Sequence, residues 1–262
     1  MDYNVLLFTK NDCYKTKKKM TPKGIIVHST GANNPNLKRY LGPDDGRIGH
    51  NPNKNHWNQP GVSKCVHAFI GKDKNGKVCT YQTLPLKICA WGAGKGFKGT
   101  YNYSPAYLQF EILEDNLKDR KYFEAVMKEA QELCAKWCIE YNIPVKDVIS
   151  HKEAHARGYA SNHADCDHWL KKFNKNMSWF RSQVNKIIAA SSSAVKVGDK
   201  IKIRDGVDTY YDGKKFPSWL KKVTLYARKQ ETKNGVKVWL VSTNKILPVY
   251  TGRFKAKDII KQ

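Results

Sequence analysis

Gly24-Ile25-Ile26-Val27-His28-Ser29 is a short apolar run of β-branched residues that suits a buried strand ending at a histidine. Two further runs, Val66 to Ile70 and Val78 to Gln82, flank Lys72-Asp73-Lys74-Asn75-Gly76, where Asn-Gly signals a hairpin. Tyr107 to Leu113 alternates and reads as a fourth strand, with Glu111 near its end. From about Asp119 to Tyr141, Phe123, Val126, Met127, Ala130, Leu133, Cys134, Trp137 and Tyr141 recur at helical spacing and predict a long helix packed on the sheet. A second helix is expected from about Trp169 to Ile188. Strands mixed with helices give the fold class: α/β, a mixed central β-sheet flanked by helices.

The texture changes at Ala189-Ala190-Ser191-Ser192-Ser193-Ala194, a small, uncharged stretch suited to a linker. We therefore expect a first domain over 1–188, a linker over 189–196 and a second domain over 197–262. In the latter, short strands at Val197–Ile203, Thr224–Arg228 and Val236–Val241, with Lys233-Asn234-Gly235 as a turn, predict a small all-β barrel.

Lys and Arg number 47 against 23 Asp and Glu, a formal charge of +24. Such a balance calls for a polyanionic partner, and charge alone does not choose between nucleic acid and anionic cell-wall polymers. No basic recognition motif or RNA-stacking module is present, which speaks against nucleic acid. No stretch approaches the ~18 apolar residues of a membrane span, and no secretory signal is visible at the N-terminus. The seven cysteines, an odd number without a C-x-x-C pair, fit reduced thiols in a core better than a disulfide framework.

Eight histidines are present, and four of them, His151, His155, His163 and His168, share one short stretch with Glu153, Asp165 and Asp167. Clustered imidazoles and carboxylates are the ligand set of a catalytic zinc, which takes three protein ligands and leaves one position open. The helical H-E-x-x-H pattern fails, because Lys152 follows His151, and H-x-x-E-H fails because Ala154 precedes His155. Gly92-Ala93-Gly94-Lys95-Gly96 lacks the frame of a phosphate loop and reads as a flexible cleft loop. Cys134 and Cys138, one helical turn apart beside Leu133 and Trp137, read as core.

Taken in order, Gly24-Ile25-Ile26-Val27-His28-Ser29-Thr30, Ala90-Trp91-Gly92-Ala93-Gly94, the strand reaching Glu111, Ile149-Ser150-His151 and Ser161-Asn162-His163-Ala164-Asp165 resemble the type-2 N-acetylmuramoyl-L-alanine amidases. These are relatives of the peptidoglycan-recognition proteins and include phage endolysins and bacterial autolysins. The resemblance covers roughly residues 20 to 175. It implies one zinc ion held by His28, His151 and Asp165, with Glu111 as the acid-base residue and His163 steadying the transition state. The implied reaction is hydrolysis of the amide between N-acetylmuramic acid and L-alanine in peptidoglycan. A non-catalytic peptidoglycan-binding protein is the alternative.

The chain departs from the family pattern at three points. Cys166-Asp167 follows Asp165 where many members have Pro-Gly, and Cys166 competes with Asp165 as third ligand because some members use cysteine. Val66 stands where a subset carries a catalytic tyrosine, so Glu111 would serve alone. Gly92 replaces a common histidine, and His67 is expected near the cleft without binding metal. The segment 197–262 resembles bacterial SH3-like wall-binding modules, with Tyr210, Tyr211, Phe216, Trp219 and Trp239 as sugar- or peptide-stacking candidates, about half of which would instead form the barrel core. The implied partners are peptidoglycan and anionic wall polymers. The resemblance also implies synthesis in a host cytoplasm and action on the wall after release.

Overall fold

In the computed structural model, which describes residues 1–193, 195–245 and 250–262, the chain divides into two compact units. The first comprises Met1–Cys134 and Ile143–Gln183, the second Ala135–Asn142 and Val184–Gln262. No helix among the described residues is long and apolar enough to cross a membrane.

The first unit is built on a six-stranded sheet. Its strands are β1 (Tyr3–Val5), β2 (Gly24–Ser29), β3 (Ala68–Lys72), β4 (Val78–Gln82), β5 (Tyr107–Ile112) and β6 (Val148–Ser150), in the order β1-β4-β3-β5-β2-β6. Only the β3–β4 hairpin is antiparallel; every other neighbouring pair is parallel. β2 is buried at all six positions, as a strand covered on both faces must be. It starts at glycine because a Cβ on Gly24 would lie 2.3 Å from the Tyr107 ring.

The helices that begin in this unit are α1 (Asp12–Thr16), α2 (Arg120–Tyr141), α3 (His151–Ala156), α4 (Asp167–Lys172) and α5 (Met177–Ser193); α2 from Ala135 and α5 from Val184 belong to the second unit. Alternation along β4 sorts its two faces. Thr80 Oγ1 donates to Glu129 Oε1 of α2 at 2.9 Å, while Cys79 and Tyr81 join the opposite core with Phe8, Leu37, Tyr40 and Phe69. α2 begins where Asp119 caps it, its carboxylate accepting from Tyr122 N at 3.1 Å.

The structure departs from the sequence reading in three places here. β1 is an addition, since three residues carry too little pattern to register. The helix expected over 169–188 is two helices: the chain turns at Asn174, which adopts φ 55°, and Asn176 caps the next helix through Trp179 N. That second helix, α5, runs to Ser193 and so covers 189–193 of the expected linker; Ala194 lies outside the described residues.

The second unit contains an antiparallel sheet of β7 (Lys200–Ile203), β8 (Leu225–Lys233), β9 (Val236–Ser242), β10 (Gly252–Lys255) and β11 (Ile259–Lys261), ordered β10-β9-β8-β7-β11. Asn234 and Gly235 both take positive φ in the two-residue turn between β8 and β9. Ile201, Leu225, Val241, Phe254 and Ile259 form the core with Phe216 and Trp239. Of the aromatics read as stacking candidates, Phe216 and Trp239 are thus core residues, Tyr210 and Tyr211 are half-buried, and Trp219 is 49% exposed.

Candidate metal centre at the strand ends

In an open α/β sheet, side chains needed by a ligand collect beyond the carboxyl ends of parallel strands. Here β2, β5 and β6 end together. The parallel register sets His28 directly opposite Glu111 and Val27 opposite Ser150, so His28 and Glu111 project from the same side of the sheet.

His151 follows β6 as the first residue of α3, and a capping box fixes it there. Ser150 Oγ accepts from Glu153 N at 3.1 Å, while the Glu153 carboxylate accepts from Ser150 N at 3.2 Å. Arg181 clamps Glu153 with two hydrogen bonds, 2.8 and 3.0 Å, and donates a third to Val148 O at 3.0 Å. The α3 terminus is thereby tied to β6 and α5 at once.

Asp165 arrives on the turn before α4, its carbonyl accepting from Lys152 N at 3.2 Å. Its Oδ2 lies 3.2 Å from His28 Nδ1 and 3.6 Å from His151 Nδ1, and the two Nδ1 atoms are 3.0 Å apart. Both histidines are buried and Asp165 nearly so. Burial holds His28 below its ordinary pKa and so favours the neutral ring. Burial opposes ionisation of Asp165, but its hydrogen bonds with His151 and His28 win and hold its carboxyl well below the usual carboxylate range. Three lone-pair atoms, all within 4.8 Å of one another, thus converge in a largely buried recess. Two imidazole nitrogens and one carboxylate oxygen fit a divalent metal of the zinc type.

Cys166 is turned away: its thiol is buried in the core, 3.9 Å from Met177 Sδ, and burial pushes its pKa well above the ordinary thiol value. Of the two competitors for third ligand, Asp165 faces the histidines.

Glu111 is half-buried, and its Oε2 is enclosed with no hydrogen-bond partner among the described residues. Burial pushes its carboxyl well above the usual carboxylate range, with repulsion from Asp165 and Glu114 adding to the rise and Lys64 opposing it. His163 is exposed beside the recess, its ring centroid 4.6 Å from that of His151. Ser161 Oγ lies 3.3 Å from His151 Nε2 and 3.0 Å from His163 Nδ1, linking the two.

The remaining histidines stand apart. His67 is fully buried and spent on backbone: Nε2 donates to Ile88 O at 2.9 Å, and Nδ1 accepts from Gln109 N at 3.0 Å. His155 Nδ1 is 3.1 Å from Ala160 O. The glycine-rich 92–96 segment is pinned rather than loose, since Ser161 N donates to Ala93 O at 2.9 Å and Gly96 N to Gly99 O at 2.8 Å. Gly94, at φ 66°, sits so close to Ser161 that a Cβ there would lie 2.5 Å from its Oγ. Sequence reading misses Ser161 as a linker and the contact of Glu114 with His168. For the latter the available signal is an acid three residues past Glu111 at a strand end.

A family model described as N-acetylmuramoyl-L-alanine amidase matches residues 18–168. No curated protein matches the chain. Among solved structures, the hydrolase AmiA of Staphylococcus aureus in complex with its ligand is similar at 17% identity, covering 71% of this chain and 81% of that one, with a TM-score of 0.49. The PlyG catalytic domain is similar at 21% identity, covering 71% and 94%, with a TM-score of 0.48. A mutant endolysin from Bacillus subtilis is similar at 21% identity, covering 70% and 99%, with a TM-score of 0.45.

Proposed function

The chain belongs to the N-acetylmuramoyl-L-alanine amidase family, and from that premise we propose that it is a zinc-dependent endolysin cutting the amide between N-acetylmuramic acid and L-alanine. The observation that carries the zinc reading is the convergence of His28, His151 and Asp165 beside Glu111. These three residues would hold the ion. When bound, zinc supplies Lewis acidity and lowers the pKa of a water to about 7.

The protein's own groups do the rest. Glu111 Oε2, enclosed and unpartnered, accepts the proton of the attacking water and returns it to the nitrogen of the leaving L-alanine. Its raised pKa suits both halves of that exchange, since the acid form must persist until the amine departs. His163, exposed and oriented through Ser161, would donate a hydrogen bond to the developing oxyanion. His28 and His151, both buried, close the protein side of the recess.

We read residues 197–262 as an SH3-like wall-binding domain, joined to a catalytic domain of residues 1–188. Half-exposed Trp219 and the lysines around it suit stacking on sugar beside wall phosphates. The partners are peptidoglycan and anionic wall polymers, met after release from a host cytoplasm.

Mass spectrometry of digested peptidoglycan tests the reaction: new L-alanine N-termini are expected. New reducing sugar ends would make the chain a glycosidase. Wall binding without any new ends would make it a recognition protein.

A further inference from the structure

The edge that carries the metal centre holds a second buried carboxylate to which neither the reaction nor the family match gives a part. Glu114, two residues beyond β5, is only 3% exposed. A carboxylate taken out of water is costly unless it is paired. Glu114 has a charge partner: its Oε1 lies 2.9 Å from His168 Nε2, an ion-pair contact made without aligned hydrogen-bond geometry. His168 stands in the first turn of α4, three residues past Asp165, and its backbone N donates to Ala164 O at 3.2 Å. Contact with Glu114 raises the His168 pKa above its ordinary value, which favours the protonated ring beside that carboxylate.

The same residue reaches the other side of the site through its backbone. Glu114 N donates to Thr30 Oγ1 at 3.2 Å, and Thr30 N in turn donates to Ile112 O at 3.1 Å. Thr30 is two residues past His28. One residue therefore touches the chain segments that present His28, Glu111 and Asp165. Because the His168 Nε2 faces Glu114, it is engaged away from the three converging ligand atoms.

We propose that Glu114 and His168 are positioning residues: their ion pair, with Thr30 as its second anchor, holds the Asp165 turn against the strand ends and sets the affinity of the recess for its metal. The proposal rests on the zinc reading above. It also accounts for a buried carboxylate kept next to Glu111, where its repulsion is otherwise a burden.

The test uses the full chain and four proteins: parent, His168→Leu, His168→Gln, and the double variant Glu114→Leu/His168→Leu. Zinc affinity is measured by competition with a chromophoric chelator, and the thermal midpoint by calorimetry. His168→Leu should lose about 10- to 100-fold in zinc affinity, the scale on which outer partners of metal sites act, and should melt earlier. His168→Gln keeps an N–H donor for Glu114 but not the charge, and should hold zinc more tightly than His168→Leu and less tightly than the parent. The double variant strands no carboxylate, so its melting temperature should recover while its zinc affinity stays low.

Recovery of affinity together with stability would reduce the pair to packing and overturn the proposal. So would a His168→Leu variant with parental zinc affinity, and if that variant does not fold, the double variant decides alone. A parent that binds no stoichiometric zinc overturns both this proposal and the zinc reading; a zinc-binding parent with an indifferent pair overturns this one only.

Discussion

His28 and His67 are both buried, yet one is poised and the other committed, and the difference lies in what their ring nitrogens meet. His67 has backbone on both sides, and burial brings its pKa down to about 4. Its folded form is thus neutral, while the unfolded chain takes up the proton near 6.5. Stability from this residue is complete above about pH 6.5 and is lost as the pH falls toward 4, a difference of about 3 kcal/mol by linkage. Urea unfolding followed from about pH 7.5 to about pH 4.5 should show that loss in the parent, and His67→Gln should flatten it. His28 meets Asp165 and His151 instead, so His28→Ala and Asp165→Ala should each lose bound zinc, whereas Cys166→Ser should keep it by elemental analysis. Full zinc in Asp165→Ala with none in Cys166→Ser would reverse the third-ligand assignment. Glu111→Gln should bind zinc normally and lose about 10²- to 10⁴-fold in turnover, the usual worth of a general acid-base group. Parental lysis by that variant would make the glutamate a bystander. The ordered motifs point to all of these residues from sequence alone, because a strand end, a cap and a ligand turn leave local marks. The run Ser161-Asn162-His163-Ala164-Asp165 favours Asp165 over Cys166, but how that turn faces the sheet leaves no local mark, and the Glu114–His168 contact joins segments that share no pattern.

Elements, more than single ligands, decide whether the recess keeps its shape. α3 presents His151 from its first turn, and the Ser150–Glu153 capping box with Arg181 behind it is what holds that turn. Ser150→Ala should cost about 1 kcal/mol, the usual worth of a cap, and lower the melting temperature by roughly 2–4 °C for a chain of this size. Calorimetry reads the shift, and a parental midpoint would show that Arg181 alone suffices. The capping box follows a pattern a reader can find, Ser150-x-x-Glu153, but its clamp by Arg181 does not. Strands β2, β4 and β5 and helix α2 stand where periodicity puts them, since each buries a face long enough to imprint one. The stop between α4 and α5 is hidden because asparagine at 174 is compatible with helix and with the left-handed turn it adopts. Phe216 and Trp239 look like surface anchors because aromatic residues in a small β domain serve core and surface alike; only packing separates them.

At the scale of the whole molecule charge dominates, +24 over 262 residues. Attraction to a polyanionic wall should weaken as salt shortens the Debye length from about 10 Å at 0.1 M to about 3 Å at 1 M. Sedimentation with purified walls should therefore show binding that falls with salt, and walls stripped of phosphate polymers should show a much smaller dependence. Equal salt dependence on both would leave the charge without a wall-polymer role. A chain ended after Ser193 should still cleave soluble muropeptides and lyse intact cells poorly, because anchoring raises the local concentration of enzyme on its substrate. The ligand atoms bring one more property, set by where they lie along the chain: His151 is 123 positions and Asp165 137 positions from His28. A ribosome that has just released Gly158 has made both imidazoles and the glutamate, yet the carboxylate that completes the triad is still unmade. The parallel pairing of β2 with β5 and β6 is what brings such distant positions together. On the zinc proposal, a chain that stops before Asp165 would carry two of the three ligands and no complete metal recess.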